Sequence, residues 1–214
     1  MLTLYYAPGA CSLVPHIALE EAGADYRRHR VNYAVGENNQ PPFRTISPLG
    51  RVPVLLTDRG ALTENPAILS YIAQSHPEAG LAPLDDPFAF ARVQSFNLFI
   101  SANIHVAFRQ IVFPDTYADG EEAAKALRDK VPELADRYFA VIEQGLADGR
   151  LYVHGDRFTL SDAYLSVYAN YLRKGDRGDV SRLPNILAHR ARIRARPAVQ
   201  RILEVEGLAD EWRD

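Results

Sequence analysis

The stretch Tyr5-Tyr6-Ala7-Pro8-Gly9-Ala10-Cys11-Ser12-Leu13-Val14-Pro15-His16 constrains this chain more than any other. Before it, Leu2-Thr3-Leu4-Tyr5-Tyr6 is apolar and aromatic, the pattern of a short buried strand. After it, Leu13, Ile17, Ala18 and Ala22 share one helical face, while Glu20 and Glu21 point away. Ser12 is expected to be the N-cap of that helix. Pro15 then falls in the first turn, where its missing N–H costs little, and Gly23 stops the helix. Cys11 is thereby placed in a tight strand-to-helix turn, its sulfur near free N–H groups. Such a position favours an anion, and a thiolate is an anion. The competing reading is plainer: a lone cysteine is often a small buried apolar side chain.

Cys11 is the only cysteine in 214 residues. An intrachain disulfide and a CxxC site are therefore excluded, and a reducing cytoplasm is the expected location. The first residues run straight into the expected strand, so no signal peptide is expected. No apolar run approaches the ~20 residues of a membrane span. A net charge of −3 argues against a dedicated nucleic-acid binder. The six histidines form no ligand-spaced pair, so no metal site is expected.

Along the chain, Tyr26 to Val31 alternates weakly, as a second strand would. Residues 34–51 are rich in Gly, Asn, Pro and Ser and leave room only for a short helix near Phe43. Val52-Pro53-Val54-Leu55-Leu56 reads as a strand and pairs back through Asp58-Arg59-Gly60 onto Ala61-Leu62-Thr63. A proline inside such a strand implies an edge, a bulge or a cis peptide. Asn65 as N-cap with Pro66 behind it starts a helix whose stripe is Ile68, Leu69, Ile72 and Ala73. Beyond the linker at 79–86 the strand signals stop. Helices are expected from Asp86 to about Val112 and from Glu121 to about Leu146 around Pro132. A third opens at the box-like Thr159-Leu160-Ser161-Asp162, and two shorter ones follow. The arginines between 190 and 201 read as a solvated face paired with nearby acids. This gives an α+β, two-domain chain: a mixed domain over 1–78 and an all-α domain over 87–214.

At this point the residues resemble the cytosolic glutathione S-transferases over nearly the whole chain. The resemblance rests on Tyr5 to Ser12, Ser47-Pro48-Leu49-Gly50-Arg51-Val52-Pro53, Thr63-Glu64-Asn65-Pro66-Ala67-Ile68, and Gly155 to Ala163. A cysteine before a serine at the first helix is similar to the bacterial beta class. The resemblance implies a thioredoxin-like N-terminal domain, an all-helical C-terminal domain and a homodimer. It implies a cis Pro53, with Val52 offering its backbone to the cysteinyl part of glutathione. It places Glu64 and Asn65 on the γ-glutamyl end, in keeping with a helix start for a carboxylate and an acid for an ammonium. Arg51 is within the same scheme as a partner of the glycyl carboxylate. Asn65 as a plain helix cap and Arg51 as a solvated side chain are the alternatives. His105 matches a histidine of the class, but Val106 stands where the class has lysine, and Val35-Gly36 where it offers another. Arg109 shares the face of His105. His105 as a packing residue is an equal alternative.

The function implied is that of an enzyme joining glutathione to hydrophobic electrophiles, or carrying out thiol transfer through Cys11. Ser12, Tyr6 and His105 are the candidate donors to sulfur. A single thiol needs an external one to complete a redox cycle, and glutathione supplies it. Ile104, Phe108, Arg109 and Ile111 are the expected lining of the electrophile site. The alternative is a relative that keeps the fold and dimer without catalysis.

Overall fold

The computed structural model describes residues 1–175 and 177–213. Its contacts separate two units: Met1–Phe90 with the chain from Arg194 onward, and Ala91–Ile193.

The first unit is built on four strands, β1 (Leu2–Tyr6), β2 (Tyr26–Arg30), β3 (Val54–Thr57) and β4 (Gly60–Thr63), in the order β2-β1-β3-β4. β1 and β2 run parallel, with α1 (Leu13–Glu21) as the crossover between them. β3 pairs antiparallel with β1, setting Leu4 opposite Leu55, and β4 closes the hairpin on β3. Leu4, Val54 and Leu55 are fully buried in the sheet. Leu13, Ile17, Ile68, Leu69 and Ile72 are buried on α1 and on α3 (Asn65–Ser75), which pack against each other. Each such side chain contributes about 1.5–3 kcal/mol by leaving water. The loop from β2 to β3 holds the one-turn helix α2 (Pro41–Arg44). It is pinned by a cluster of Val31, Phe43, Val52 and Val54, against which Tyr5, Ala7 and Ala10 pack. The Val52–Pro53 peptide is cis. Pro53 thus stands just before an interior strand rather than on an edge, so its missing N–H is not asked for by the ladder.

The chain then runs through α4 (Pro87–Phe99), a π-helical turn at Ile100–His105, and α5 (Val106–Val112). α6 (Glu121–Gly145) carries Pro132 in its interior. α7 (Leu160–Leu172) is buried on every side from Leu160 to Asn170, as the central helix of the second unit must be. α8 (Pro184–Arg194) and α9 (Pro197–Glu206) complete the chain. The expected all-α domain of 87–214 therefore differs from the contact units at its C-terminal end. α9 groups with the sheet because it packs on α1. Arg196 forms a forked pair with Glu21 at 2.6 and 2.8 Å, and Arg201 meets Glu20 at 2.6 Å. The arginine run is not uniformly solvated either. Arg190 is 1 % exposed and donates from Nε and Nη2 to Asn170 Oδ1.

Candidate active site

The turn between β1 and α1 presents Cys11, and five hydrogen bonds hold it among those of the described residues. The Ser12 hydroxyl accepts from the Ala7 N–H at 3.1 Å and donates to the Ala7 carbonyl at 3.2 Å, bridging the turn at its base. The Asn65 Nδ2 donates to the Cys11 carbonyl at 3.0 Å. The Cys11 thiol donates to the Val52 carbonyl at 3.3 Å. Finally, Glu206 Oε2 accepts from the Gly9 N–H at 3.0 Å, so the end of α9 steadies the turn. Gly9 needs its residue type here: φ is +68°, and a Cβ would sit 3.4 Å from Leu208 Cδ2.

Two expectations change at this turn. Ser12 stands at the N-cap position but with helical φ and ψ, and it makes no capping bond. Fully buried and committed to Ala7 in both directions, it is a strut rather than a donor aimed at sulfur. The N–H groups of Leu13 and Val14 are also taken, by the carbonyls of Ala10 and Cys11. The sulfur instead faces an acceptor, which a thiol satisfies and a thiolate does not. Tyr6 is turned inward at 7 % exposure, its ring 4.8 Å from that of His16. His16 Nδ1 lies 2.6 Å from Glu206 Oε1, both side chains fully buried. Nearby, burial, reinforced by Glu20 and Glu206, raises the Tyr26 phenol above its usual range.

The start of α3 is also one residue off expectation. Glu64, not Asn65, holds the cap position, at φ 68° and ψ 120°, and Asn65 is the first helical residue. Glu64 is the one non-glycine at positive φ among the described residues. Such a conformation costs on the order of 1–3 kcal/mol and persists where its surroundings dictate it. The Glu64 side chain is exposed, and the next residue, Asn65, is bonded to the Cys11 turn. Asn65 is 4 % exposed, and its Oδ1 is buried with no hydrogen-bond partner. The amide cannot be flipped to cure this, because only nitrogen can donate to the Cys11 carbonyl. A buried acceptor left open costs about 1–3 kcal/mol, so this is an atom in want of a donor. Arg51 is exposed, with no acid against its guanidinium among the described residues. Its backbone is fixed by Ser47 Oγ, which accepts from Arg51 N at 2.9 Å and donates to its carbonyl at 2.8 Å.

In the second unit, His105 ends the π-helical turn, half-buried, its ring 5.4 Å from that of Tyr168. π turns of this kind are found often at functional positions. The expected electrophile lining is not brought together. Ile104 and Phe108 are 1 % and 4 % exposed. Phe108 lies parallel to Tyr168 at 6.2 Å, inside the aromatic core. Their four-residue spacing is the inward stripe of the helix rather than an open wall. Arg109 lies over the Phe113 ring at 5.1 Å. Ile111 lines a different cavity of about 760 Å³ with Arg128, Pro132 and Lys174. Tyr33, absent from the expected site, was hidden by the polar loop that carries it; its hydroxyl accepts from the Val52 N–H at 3.3 Å. Among the described residues, no group of three or more His, Cys, Asp or Glu could hold a metal ion. None of their helices is long and apolar enough to cross a membrane.

A four-stranded mixed sheet with a cysteine turn and a cis-proline strand entry, followed by a helical unit, defines a class, and comparison with known proteins agrees. The pattern of the glutathione S-transferase N-terminal domain matches residues 1–74, and that of its C-terminal domain matches 125–192. The glutathione S-transferase GstA of Escherichia coli O157:H7 is 32 % identical over 97 % of this chain and all of its own length. Among solved structures, a glutathione transferase homologue from Sulfitobacter with bound glutathione is 34 % identical, with a TM-score of 0.89 over 97 % of this chain and 99 % of that one. The bacterial beta class enzyme of Sphingomonas chungbukensis is 36 % identical, at 0.82 over 96 % and 99 %. The chain belongs to the cytosolic glutathione S-transferase family.

Proposed function

We propose that this chain is a glutathione transferase that binds the tripeptide in its first unit, between Cys11, Val52, Glu64 and Asn65. The observation that carries the reading is Asn65: a buried amide that fixes the Cys11 carbonyl with one atom and leaves the other open. The γ-glutamyl end brings an ammonium and a carboxylate to that corner. The exposed Glu64 accepts from the ammonium, and the first-turn N–H groups of α3 take the carboxylate. Arg51 meets the glycyl carboxylate, and the Val52 backbone aligns the cysteinyl residue beside Cys11. In the helical unit, the partly exposed His105 is assigned to the electrophile side. Calorimetry with glutathione and turnover with a panel of apolar electrophiles test the reading together. Absence of binding at millimolar glutathione refutes it. Glu64→Ala is expected to weaken binding by the ~1.5–3 kcal/mol of a charged hydrogen bond, roughly ten- to a hundredfold. An unchanged affinity would take the ammonium away from Glu64.

The protein is further proposed to act as a cytoplasmic homodimer, as members of the family do. Light scattering at micromolar protein should give twice the chain mass, and a monomer mass would remove this part.

A further inference from the structure

Val52 has one backbone N–H and one carbonyl, and side chains of this chain hold both. The N–H donates to the Tyr33 hydroxyl at 3.3 Å, and the carbonyl accepts from the Cys11 thiol at 3.3 Å. An extended peptide laid beside a residue uses that residue's N–H and carbonyl as a pair. The cysteinyl part of glutathione would therefore compete with two resident side chains. Cys11 belongs to the chemistry of the site. Tyr33 does not, and the residue is 42 % exposed, so its hydroxyl stands on Val52 at the open edge of the site.

What delivers Tyr33 there is a locked turn. Tyr33–Val35 form a single 3-10 turn, started by Asn32 Oδ1 accepting from the Ala34 N–H at 3.1 Å. Glu37 closes it from behind, one oxygen accepting from the Asn32 N–H at 2.7 Å and the other 2.6 Å from His29 Nε2. Those contacts, Asn32 first and His29 second, hold the Glu37 carboxyl below its usual range, so it is ionised at neutral pH. The turn is also tied to the segment that enters Val52: Asn38 Nδ2 donates to the Gly50 carbonyl at 3.2 Å. Gly50 has φ +64°, and a Cβ would lie 2.7 Å from the Asn38 carbonyl oxygen. Only glycine lets the two segments approach so closely. The hydroxyl is thus kept at high local concentration beside one N–H.

We propose that Tyr33 is a latch on the glutathione site: its hydroxyl holds the Val52 N–H until a glutathione carbonyl replaces it. The proposal rests on the glutathione reading of Val52 given above. A resident competitor lowers apparent affinity by the fraction of time the N–H is open, so Tyr33 sets how tightly glutathione is held.

Tyr33→Phe tests this, because it keeps the ring and the turn and removes one oxygen. Calorimetry with glutathione should show a dissociation constant about three- to tenfold lower in the variant. In amide proton–nitrogen spectra the Val52 resonance should differ between the two proteins without glutathione and coincide when both are saturated. That second readout follows the hydrogen bond itself and is insensitive to a general change in stability. An unchanged or raised dissociation constant in Tyr33→Phe overturns the latch, and so does a Val52 resonance that the substitution leaves in place. If neither protein binds glutathione at millimolar concentration, the reading of Val52 as its site fails, and the latch fails with it.

Discussion

Asp162→Ala is expected to lower the stability of the helical unit by about 3–5 kcal/mol, the range for removing one member of a buried, hydrogen-bonded pair. The carboxylate is fully buried and every contact it makes is short. Oδ1 accepts from the Val153 N–H at 2.7 Å and from His189 Nε2 at 2.8 Å. Oδ2 accepts from the Thr159 N–H at 2.7 Å and the Thr159 hydroxyl at 2.9 Å. An N3 carboxylate in a capping box ordinarily supports one helix end, for about 1 kcal/mol. Here the same group also ties down the segment before the helix and the buried His189 on α8. Alanine would leave those donors in the interior without an acceptor, which is where the larger loss arises. Since a domain is stable by only about 5–15 kcal/mol, the variant can fail to accumulate. Thr159→Ala keeps the question measurable, because it removes the hydroxyl and one methyl but leaves the Asp162 carboxylate in place, and should cost on the order of 1 kcal/mol. Chemical unfolding read by circular dichroism gives both values. A loss under 1 kcal/mol for Asp162→Ala would show that the network is redundant. A loss of turnover in protein that unfolds like the parent would show that Asp162 acts in the chemistry instead.

The same residues show what a sequence can and cannot tell. Thr159 and Asp162 were legible because a capping box is a local pattern, complete within four residues. Pro53 was legible because a proline in an apolar β-branched run has few backbone solutions, and the cis peptide is one. The turn at Cys11 was legible as a turn, through the alternation before it and the helical stripe after it. The site's hydrogen bonding was not. Ser12 has the residue type of an N-cap, but its side chain serves Ala7 across the turn, a choice settled by how β1 enters α1. Glu64 shows no sign in its residue type of a positive φ. His16 and Glu206 meet across 190 residues of chain. Nothing at either end betrays the other, and it is this pair that brings α9 to the active turn. Tyr33 sat in a polar loop whose periodicity carries no signal. Ile104 and Phe108 failed differently: an apolar residue near a cleft and one in the core behind it look alike in one dimension.

Cys11→Ala is expected to abolish glutathione mixed-disulfide formation and thiol transfer, and to leave conjugation reduced but measurable. In thiol transfer the Cys11 thiolate attacks the glutathionyl sulfur of a mixed disulfide substrate. A bond forms between Cys11 and that sulfur, and the substrate leaves as a thiolate that takes up a proton. A second glutathione, as thiolate, then attacks the glutathionyl sulfur on Cys11. It releases Cys11 as its thiolate and forms oxidised glutathione, so the mixed disulfide and one free glutathione become the substrate thiol and oxidised glutathione. No other residue can take this part, since the chain has one cysteine. Conjugation is different, because glutathione brings its own nucleophile and the protein need only favour its thiolate. The geometry also narrows who assists. Ser12 is committed to Ala7 and Tyr6 is turned onto His16, which leaves the Cys11 thiol, now on the Val52 carbonyl, as the remaining candidate donor to the glutathione sulfur in the first unit. Conjugation without it should fall by the factor of about 10–150 that one hydrogen bond of about 1.5–3 kcal/mol to a charged sulfur supplies. The measurements are the mass of protein treated with oxidised glutathione and the two activities side by side. A parent protein that resists both glutathionylation and alkylation near neutral pH would mark the thiol as inert and end the redox role. Thiol transfer surviving in Cys11→Ala would mean that the reactive sulfur belonged to the substrates throughout.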